Sequence, residues 1–148
     1  MVEILLAEDH PADVYLIREA LREHAVDCTV RVVSDGKEVL SILCAADQGP
    51  AAQPPALIIL DLNLPRHDGI EILKRLRESA QLPHVPVVVL TSSDSPQDRS
   101  AALQFGAARF LRKPSSLEQF LSLGAIFKEL LEESTSPRYK TKGVCDEV

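Results

Sequence analysis

A chain of 148 residues is long enough for one domain with a substantial core, but not comfortably for two. Its composition, 45% hydrophobic and 26% charged, is typical of a soluble globular protein and argues against a disordered chain. The net charge of -6, without a cluster of Lys and Arg on one segment, argues against direct binding of nucleic acid. No apolar run is long enough to span a membrane and no signal segment begins the chain, so we expect a cytoplasmic protein.

Five short apolar runs, typical of strands, alternate with five segments in which apolar residues recur at helical spacing. The predicted strands lie at 2–7, 29–33, 57–60, 86–90 and 109–112. The predicted helices begin near Pro11, Ser34-Asp35, Ile70, Pro96 and Ser115-Ser116; the second ends near Ala46, the first near His24 and the last near Glu133. Proline and glycine in 47–55 predict a long loop there.

This alternation predicts an α/β fold, a flavodoxin-like doubly wound sheet of five parallel strands in the order 2-1-3-4-5 with helices on both faces. In that order the chain reverses direction between the first and third strands, and the crevice that opens there is the expected ligand site. We expect one domain over residues 1–133. Residues 134–148 are polar and without periodicity, which predicts a flexible tail and no output domain.

The third predicted strand delivers a carboxylate to that crevice, because the buried run at 57–60 leads directly into Asp61. Glu8 and Asp9 follow the first strand, which is expected to lie beside the third, so all three acids should converge. Carboxylates this close repel one another unless a cation lies among them. Oxygen ligands with room for water suit Mg²⁺, with Mn²⁺ as an alternative. Beside such a metal, Asp61 becomes a candidate covalent carrier of phosphate.

Two further strand ends supply groups that phosphoryl chemistry needs. Lys113 offers a cation and Thr91 offers a hydroxyl for a phosphoryl oxygen. Alone, an Asp after an apolar run is more often a turn residue, a Thr is a strand former, and a Lys is a surface charge. Their shared position at strand ends favours a common site. The Lys113-Pro114 bond is a candidate for the cis isomer.

These residues together resemble a response-regulator receiver domain, the phosphoacceptor partner of sensor histidine kinases in two-component signalling. The resemblance covers residues 2 to about 133. It rests on Glu8-Asp9, the D-x-N-x-P-x-x-D-G string from Asp61 to Gly69, and Thr91. Lys113-Pro114, preceded by Phe110, completes the pattern.

The resemblance implies a signalling protein that catalyses only its own phosphotransfer and dephosphorylation. Asp61 would take phosphate from a histidine kinase, and Asp9, Asp61 and the backbone carbonyl of Asn63 would bind Mg²⁺, with Glu8 acting through water. Thr91 and Lys113 would bind the phosphoryl group. Phe110 occupies the position of the family's switch aromatic, usually Tyr or Phe, and it lacks the hydroxyl of Tyr.

The string His10-Pro11-Ala12-Asp13 and the Lys-Pro-Ser-Ser-Leu-Glu-Gln-Phe stretch further resemble stand-alone regulators paired with bacterial phytochromes. A bacterial phytochrome is therefore a candidate kinase. The four histidines lie on polar loops or helix ends and are assigned no role: His10, His24, His67 and His84. The three cysteines are widely spaced, and we expect two buried side chains and one tail thiol: Cys28, Cys44 and Cys145.

The last helix carries more apolar surface than one core stripe needs. One face has Leu117, Phe120, Leu121, Gly124, Phe127 and Leu131, and a second face has Leu123, Ile126 and Leu130. The second face would be covered by core or tail, or it would form a homodimer interface. We favour a homodimer through the fourth helix, the fifth strand and the fifth helix, a surface that would also carry the phosphorylation signal.

Two other functions stay open. A Mg²⁺-dependent phosphohydrolase also forms an aspartyl phosphate, but such enzymes typically carry a second acid two residues beyond the nucleophile, where this chain has Asn63. The other alternative is a receiver-like binding module that is not phosphorylated. The intact set of acids, with Thr91 and Lys113, argues against that module.

Overall fold

The computed structural model describes residues 2–48, 55–64, 68–78, 85–93 and 95–135. Most of the predicted loop at 47–55 lies outside these residues, as do the tail from residue 136 onward, Pro65, His67, His84 and Cys145. The side chain of Cys44 is also outside the description.

Strands and helices alternate along the described chain. The strands are β1 (Val2–Ala7), β2 (Cys28–Val33), β3 (Leu57–Leu60), β4 (Val87–Thr91) and β5 (Arg109–Arg112). The helices are α1 (Pro11–Glu23), α2 (Gly36–Gln48), α3 (Gly69–Glu78), α4 (Pro96–Gln104) and α5 (Leu117–Thr135). The five strands form one parallel sheet in the order β2-β1-β3-β4-β5. The predicted fold class and strand order are confirmed.

The sheet separates two apolar layers because successive side chains of a strand point to opposite faces. Ile58 and Leu60 of β3 pack with α3 on one face, whereas Leu57 and Ile59 pack with α1 and α5 on the other. Every residue of β3 and β4 is buried, as expected of central strands covered on both faces. The edge strand β2 is half exposed. The carboxyl ends of the central strands are thus held by rigid, buried backbone.

Local signals mark the beginnings of three helices. Pro11 begins α1, and Ser95 caps α4 by accepting a hydrogen bond from the Asp98 amide at 3.3 Å. Asp35 likewise accepts from the Glu38 amide at 2.8 Å before α2. That helix continues to Gln48, beyond the predicted end near Ala46, so the beginning of the predicted loop is helical.

The prediction that Cys28 is buried is wrong, whereas the second apolar face of α5 follows the alternative in which the core covers it. Cys28 is partly exposed at the edge of the sheet, where no second layer covers it fully. Leu123 and Leu130, on the second apolar face of α5, are each 7% exposed and belong to the core that α5 shares with α1 and the sheet. The burial of these two leucines removes most of the second face as a free surface. Leu117, at the beginning of α5, stays 61% exposed.

Within the described residues, no helix is both long enough and apolar enough to cross a membrane.

Candidate functional site

Glu8 and Asp61 lie side by side at the carboxyl edge of the sheet. Ala7 of β1 pairs with Leu60 of β3, so the next residue of each strand emerges at the same edge. The Asp61 amide donates to the Ala7 carbonyl at 3.0 Å, which extends the ladder past the strand ends. Both carboxylic residues are only 2% exposed. Two acids are therefore held together in a largely dry crevice.

The loop that carries Asp61 folds back onto α3. The Gly69 amide donates to the Leu62 carbonyl at 3.2 Å, and a Cβ on Gly69 would overlap the Leu62 backbone. Glycine is required at this close approach, which explains the Asp68-Gly69 pair in the sequence. The hydrogen bonds of the Asp61 amide and of the Leu62 carbonyl therefore fix the position of the backbone at Asp61.

Lys113 lies at the centre of the acidic groups. Its Nζ is 2.8 Å from Glu8 Oε1, 2.8 Å from Asp13 Oδ2 and 2.9 Å from Asp61 Oδ2. The backbone directs the side chain there, because the Lys113 amide donates to the Thr91 carbonyl at 2.8 Å. The ammonium group therefore neutralises part of the carboxylate charge. None of the described peptide bonds is cis, so the Lys113-Pro114 bond is trans and its predicted candidacy for the cis isomer is wrong.

Asp13 contacts Lys113, although the sequence assigned it no role in the site. It lies in the first turn of α1, four positions after Asp9, and the sequence shows only an acid near a helix N-terminus. Such an acid is ordinarily explained by the helix dipole. The sequence signal for Asp13 is its position in the first helical turn, four residues after Asp9 of the acid pair.

Thr91 and Asn63 are connected to each other. Thr91 is fully buried, and its Oγ accepts from Asn63 Nδ2 at 3.2 Å and from the Ser93 amide at 3.3 Å. The Asn63 amide donates to Asp61 Oδ1 at 3.0 Å. One asparagine thus holds both the carboxylate and the hydroxyl that the sequence assigned to the same site.

The charges of the site follow from these contacts. Burial alone would raise the pKa of Asp61, but the Asn63 amide and Lys113 outweigh it and hold that pKa below the ordinary value. Burial raises the pKa of Glu8 despite its hydrogen bond from Lys113, and the nearby charge of Asp61 adds to the rise. Burial would lower the pKa of Lys113, yet its bonds to Asp13, Glu8 and Asp61 raise it. Asp61 is therefore ionised beside a firmly protonated lysine.

The donor set fits a hard divalent cation. Carboxylate oxygens of Glu8, Asp9 and Asp61 and a ring nitrogen of His10 all lie within 4.8 Å of one another. Asp9 is exposed at the rim of the crevice, where water can complete a coordination shell. The negative charge of these acids and Asp13 exceeds the single positive charge of Lys113.

Phe110 lies apart from this charge cluster. It is 8% exposed within the core between the sheet and the helices α3 and α4, and the guanidinium carbon of Arg99 lies 5.7 Å from its ring centroid. The aromatic ring is thus directed inward, beneath a cation of α4.

A family comparison matches residues 4–123 to the response regulator receiver domain. The chain belongs to this receiver-domain family. The receiver domain is the response-regulator module of two-component systems, and the predicted family is confirmed.

Among curated relatives, the receiver domain is 33% identical over 120 residues to the response regulator Rcp1 of Synechocystis sp. strain PCC 6803, covering 81% of this chain and 82% of Rcp1. It is 36% identical over 121 residues to the transcriptional regulatory protein TrcR of Mycobacterium tuberculosis. That match covers 82% of this chain but only 43% of TrcR, so the chain spans less than half of that relative.

Among solved structures, the phosphorylated cyanobacterial phytochrome response regulator RcpA superposes with a TM-score of 0.80 at 32% identity, covering 91% of this chain and 96% of RcpA. The Mn²⁺-bound form of Rcp1 superposes with a TM-score of 0.77 at 32% identity, covering 87% and 93%. The receiver domain is therefore similar to phytochrome-associated regulators in both sequence and fold.

Proposed function

We propose that the chain is a response-regulator receiver that accepts a phosphoryl group from a histidine kinase on Asp61. The observation that carries the proposal is the setting of Asp61, a buried carboxylate whose two oxygens bind separate donors, the Asn63 amide at 3.0 Å and Lys113 Nζ at 2.9 Å. Such a carboxylate is oriented and ionised, as a nucleophile must be.

In the proposed reaction an Asp61 oxygen attacks the phosphorus of a phosphohistidine. The new O–P bond forms as the P–N bond breaks, and the imidazole leaves with the electron pair of that bond. As the Asp61 carboxylate becomes an acyl phosphate and loses its negative charge, Lys113 donates to the phosphoryl oxygens, because its ammonium group already lies within hydrogen-bond distance of Asp61. The Thr91 hydroxyl, whose oxygen accepts a hydrogen bond from the Ser93 amide, donates its own proton to another phosphoryl oxygen.

A divalent cation, Mg²⁺ or Mn²⁺, fits the same site. Asp9, Asp61 and the backbone carbonyl of Asn63 would hold it, with Glu8 acting through water. When bound, it supplies positive charge that disperses the charge of the phosphoryl oxygens. The related Rcp1, whose solved structure is a Mn²⁺-bound form, supports this assignment.

The proposed output is the surface of α4, β5 and α5. In this proposal the binding of Thr91 to the phosphoryl group is passed on to β5, which pairs with β4 through Thr91 and Arg112 and carries the inward-facing Phe110. Leu103 of α4 is 46% exposed and Leu117 of α5 is 61% exposed, and both lie on the elements of this surface. They provide apolar contacts for a homodimer or for a protein partner.

The kinase that fits best is a bacterial phytochrome. RcpA is a phytochrome response regulator, and RtBRR, a bacteriophytochrome response regulator, is 35% identical with a TM-score of 0.70 over 88% of this chain. In this proposal the signal passes through protein contacts.

The phosphohydrolase alternative lacks its second acid. Asn63 occupies that position, and its side-chain Nδ2 donates to the Thr91 hydroxyl oxygen at 3.2 Å. An ionised carboxylate has no proton to donate and could not make this hydrogen bond. The binding-module alternative does not explain why carboxylate oxygens of three acids each lie within 3 Å of Lys113 Nζ.

The proposal is tested by incubating the protein with acetyl phosphate and Mg²⁺ and measuring its intact mass. We expect one phosphoryl adduct, absent in Asp61→Asn and retained in the matched control Asp27→Asn, whose carboxylate is exposed and distant in the fold. Steady turnover of a phosphate ester would favour the hydrolase instead. Absence of any adduct would favour the binding module. Transfer from an autophosphorylated phytochrome kinase tests the partner.

A further inference from the structure

The His10 side chain lies at the rim of the acidic crevice, partly exposed to solvent and in contact with its carboxylates. It is the residue that precedes α1, and its side chain makes no capping hydrogen bond to that helix. Instead its Nδ1 lies 3.1 Å from Glu8 Oε2, 3.4 Å from Asp9 Oδ1 and 3.9 Å from Asp13 Oδ2. A ring nitrogen of His10 also lies within 4.8 Å of a carboxylate oxygen of Asp61. An imidazole nitrogen therefore stands among the oxygens that would bind a cation.

The contact between His10 and Glu8 can be given up at little cost. Glu8 Oε2 also accepts from the backbone amides of Asp9 at 3.1 Å and His10 at 3.2 Å, and Oε1 receives the ammonium of Lys113. Glu8 would thus stay hydrogen-bonded if the imidazole turned toward a metal. The His10 side chain is 64% exposed, so the crowding of a packed core does not prevent this rotation.

The other histidine whose side chain the structure describes is placed differently. His24 Nδ1 lies 3.1 Å from the Ala20 carbonyl, at the end of α1 remote from the crevice. Its ring lies beside Gly124 of α5. His24 therefore supplies a matched control for effects of histidine chemistry outside the site.

An imidazole ligand changes which cations a carboxylate site prefers. Mg²⁺ favours oxygen ligands and water, whereas the later divalent transition metals gain from nitrogen ligands. For a given site the affinity rises from Mn²⁺ through Fe²⁺ and Co²⁺ to Ni²⁺. A nitrogen ligand should therefore matter least for Mg²⁺ and most for Ni²⁺.

We propose that His10 Nδ1 is an additional ligand of the acidic site and gives it a preference for divalent transition metals over Mg²⁺. This inference rests on the proposed function in one respect, that the acidic crevice is the metal site. It adds a nitrogen donor from the residue next to the acid pair, and it makes the identity of the bound cation depend on His10.

The test measures the dissociation constants of Mg²⁺, Mn²⁺ and Ni²⁺ by titration calorimetry on the full chain, its His10→Gln variant and the His24→Gln control. In His10→Gln we expect Mg²⁺ affinity to change less than about twofold, Mn²⁺ affinity to fall about tenfold, and Ni²⁺ affinity to fall further. The His24→Gln control should match the original protein for all three cations. Equal changes for all three cations would indicate a general charge effect and overturn the inference, as would no change.

Pulsed electron paramagnetic resonance of bound Mn²⁺ gives an independent readout. We expect nitrogen coupling in the original protein and in His24→Gln, changed by ¹⁵N-histidine labelling and absent from His10→Gln. Bound Mn²⁺ without nitrogen coupling would overturn the inference while leaving the proposed function intact. Normal metal binding with no phosphoryl adduct from acetyl phosphate would overturn the proposed function and leave the ligand assignment standing. Failure to bind any of the three cations would overturn both metal assignments.

Discussion

Asp13 and Lys113 are joined by a 2.8 Å contact between Asp13 Oδ2 and Lys113 Nζ, although they are 100 positions apart in the chain. The contact attaches the first turn of α1 to the end of β5. The same ammonium group also meets Glu8 and Asp61, so one lysine holds acids from three separate segments. Lys113 therefore positions the site as well as balancing its charge.

Asp13→Asn should weaken the anchor of Lys113 and slow phosphorylation. The amide keeps an acceptor but loses its charge, so the pKa of Lys113 should move down toward its ordinary value and its ammonium group should be less well placed. We expect phosphorylation by acetyl phosphate to slow on the order of tenfold, measured by intact mass over time. Glu19→Gln, on the same helix but paired with Arg22, is the control and should react at the original rate. An unchanged rate in Asp13→Asn would show that Lys113 needs no anchor from α1.

Lys113→Met should destabilise the metal-free protein, because it leaves buried Glu8 and Asp61 without their shared cation. The Lys113 side chain is 10% exposed, and removing one partner of a buried ion pair costs about 3 kcal/mol or more. Urea unfolding with a chelator should show this loss, and added Mg²⁺ should restore part of it by binding the folded state. The exposed Lys37→Met on α2 is the control. Equal unfolding free energies for the two variants would contradict the charge balance described for the site.

In the metal-free protein the pKa values of the two buried acids should be shifted in opposite directions. ¹³C carboxyl NMR should place the pKa of Asp61 below its ordinary 3.8 and the pKa of Glu8 above its ordinary 4.5. Because the pKa of Asp61 is lower in the folded state, its contribution to stability is present above 3.8 and is lost as the pH falls through the folded value. The contribution of Glu8 to stability has the opposite pH dependence. It is present below pH 4.5 and is lost as the pH rises through the pKa of Glu8 in the folded state. The reverse order of titration would contradict the assigned contacts.

Gly124→Ala should destabilise the domain by separating α1 from α5. A Cβ at this position would overlap the Ala20 carbonyl oxygen and the His24 ring, so the helices would have to move apart. Overpacking of this kind typically costs about 2 kcal/mol, measurable by thermal or urea unfolding. Ser122→Ala, on the exposed side of the same helix, should change stability by less than about 0.5 kcal/mol. A Gly124→Ala variant as stable as Ser122→Ala would show that the two helices adapt without cost.

The exposed leucines on the proposed output surface of α4, β5 and α5 can be tested together. Leu103→Ser with Leu117→Ser should leave stability nearly unchanged, because both side chains are already largely exposed. If α4, β5 and α5 form a homodimer, the double variant should weaken association of the phosphorylated protein about tenfold or more, measured by analytical ultracentrifugation. The exposed Tyr15→Ser on α1 serves as the control. Unchanged association would exclude these leucines from the interface.

The sequence alone determined the strand order, the family and the residues that meet at the carboxyl edge of the sheet. Apolar runs and helical spacing are local properties, and a residue that directly follows a parallel strand emerges at that edge wherever the strand lies. The convergence of Glu8, Asp61 and Lys113 therefore followed from their positions after β1, β3 and β5.

Only the tertiary structure decided where side chains on helices and loops point. The sequence assigned Asp13 and His10 no role in the site, yet docking of α1 on the sheet brings Asp13 to 2.8 Å from Lys113 and His10 to 3.1 Å from Glu8. Burial of Leu130 was likewise decided by how α5 packs on the sheet and α1. Such contacts depend on the angle and distance between elements, which long-range packing sets and no local pattern encodes.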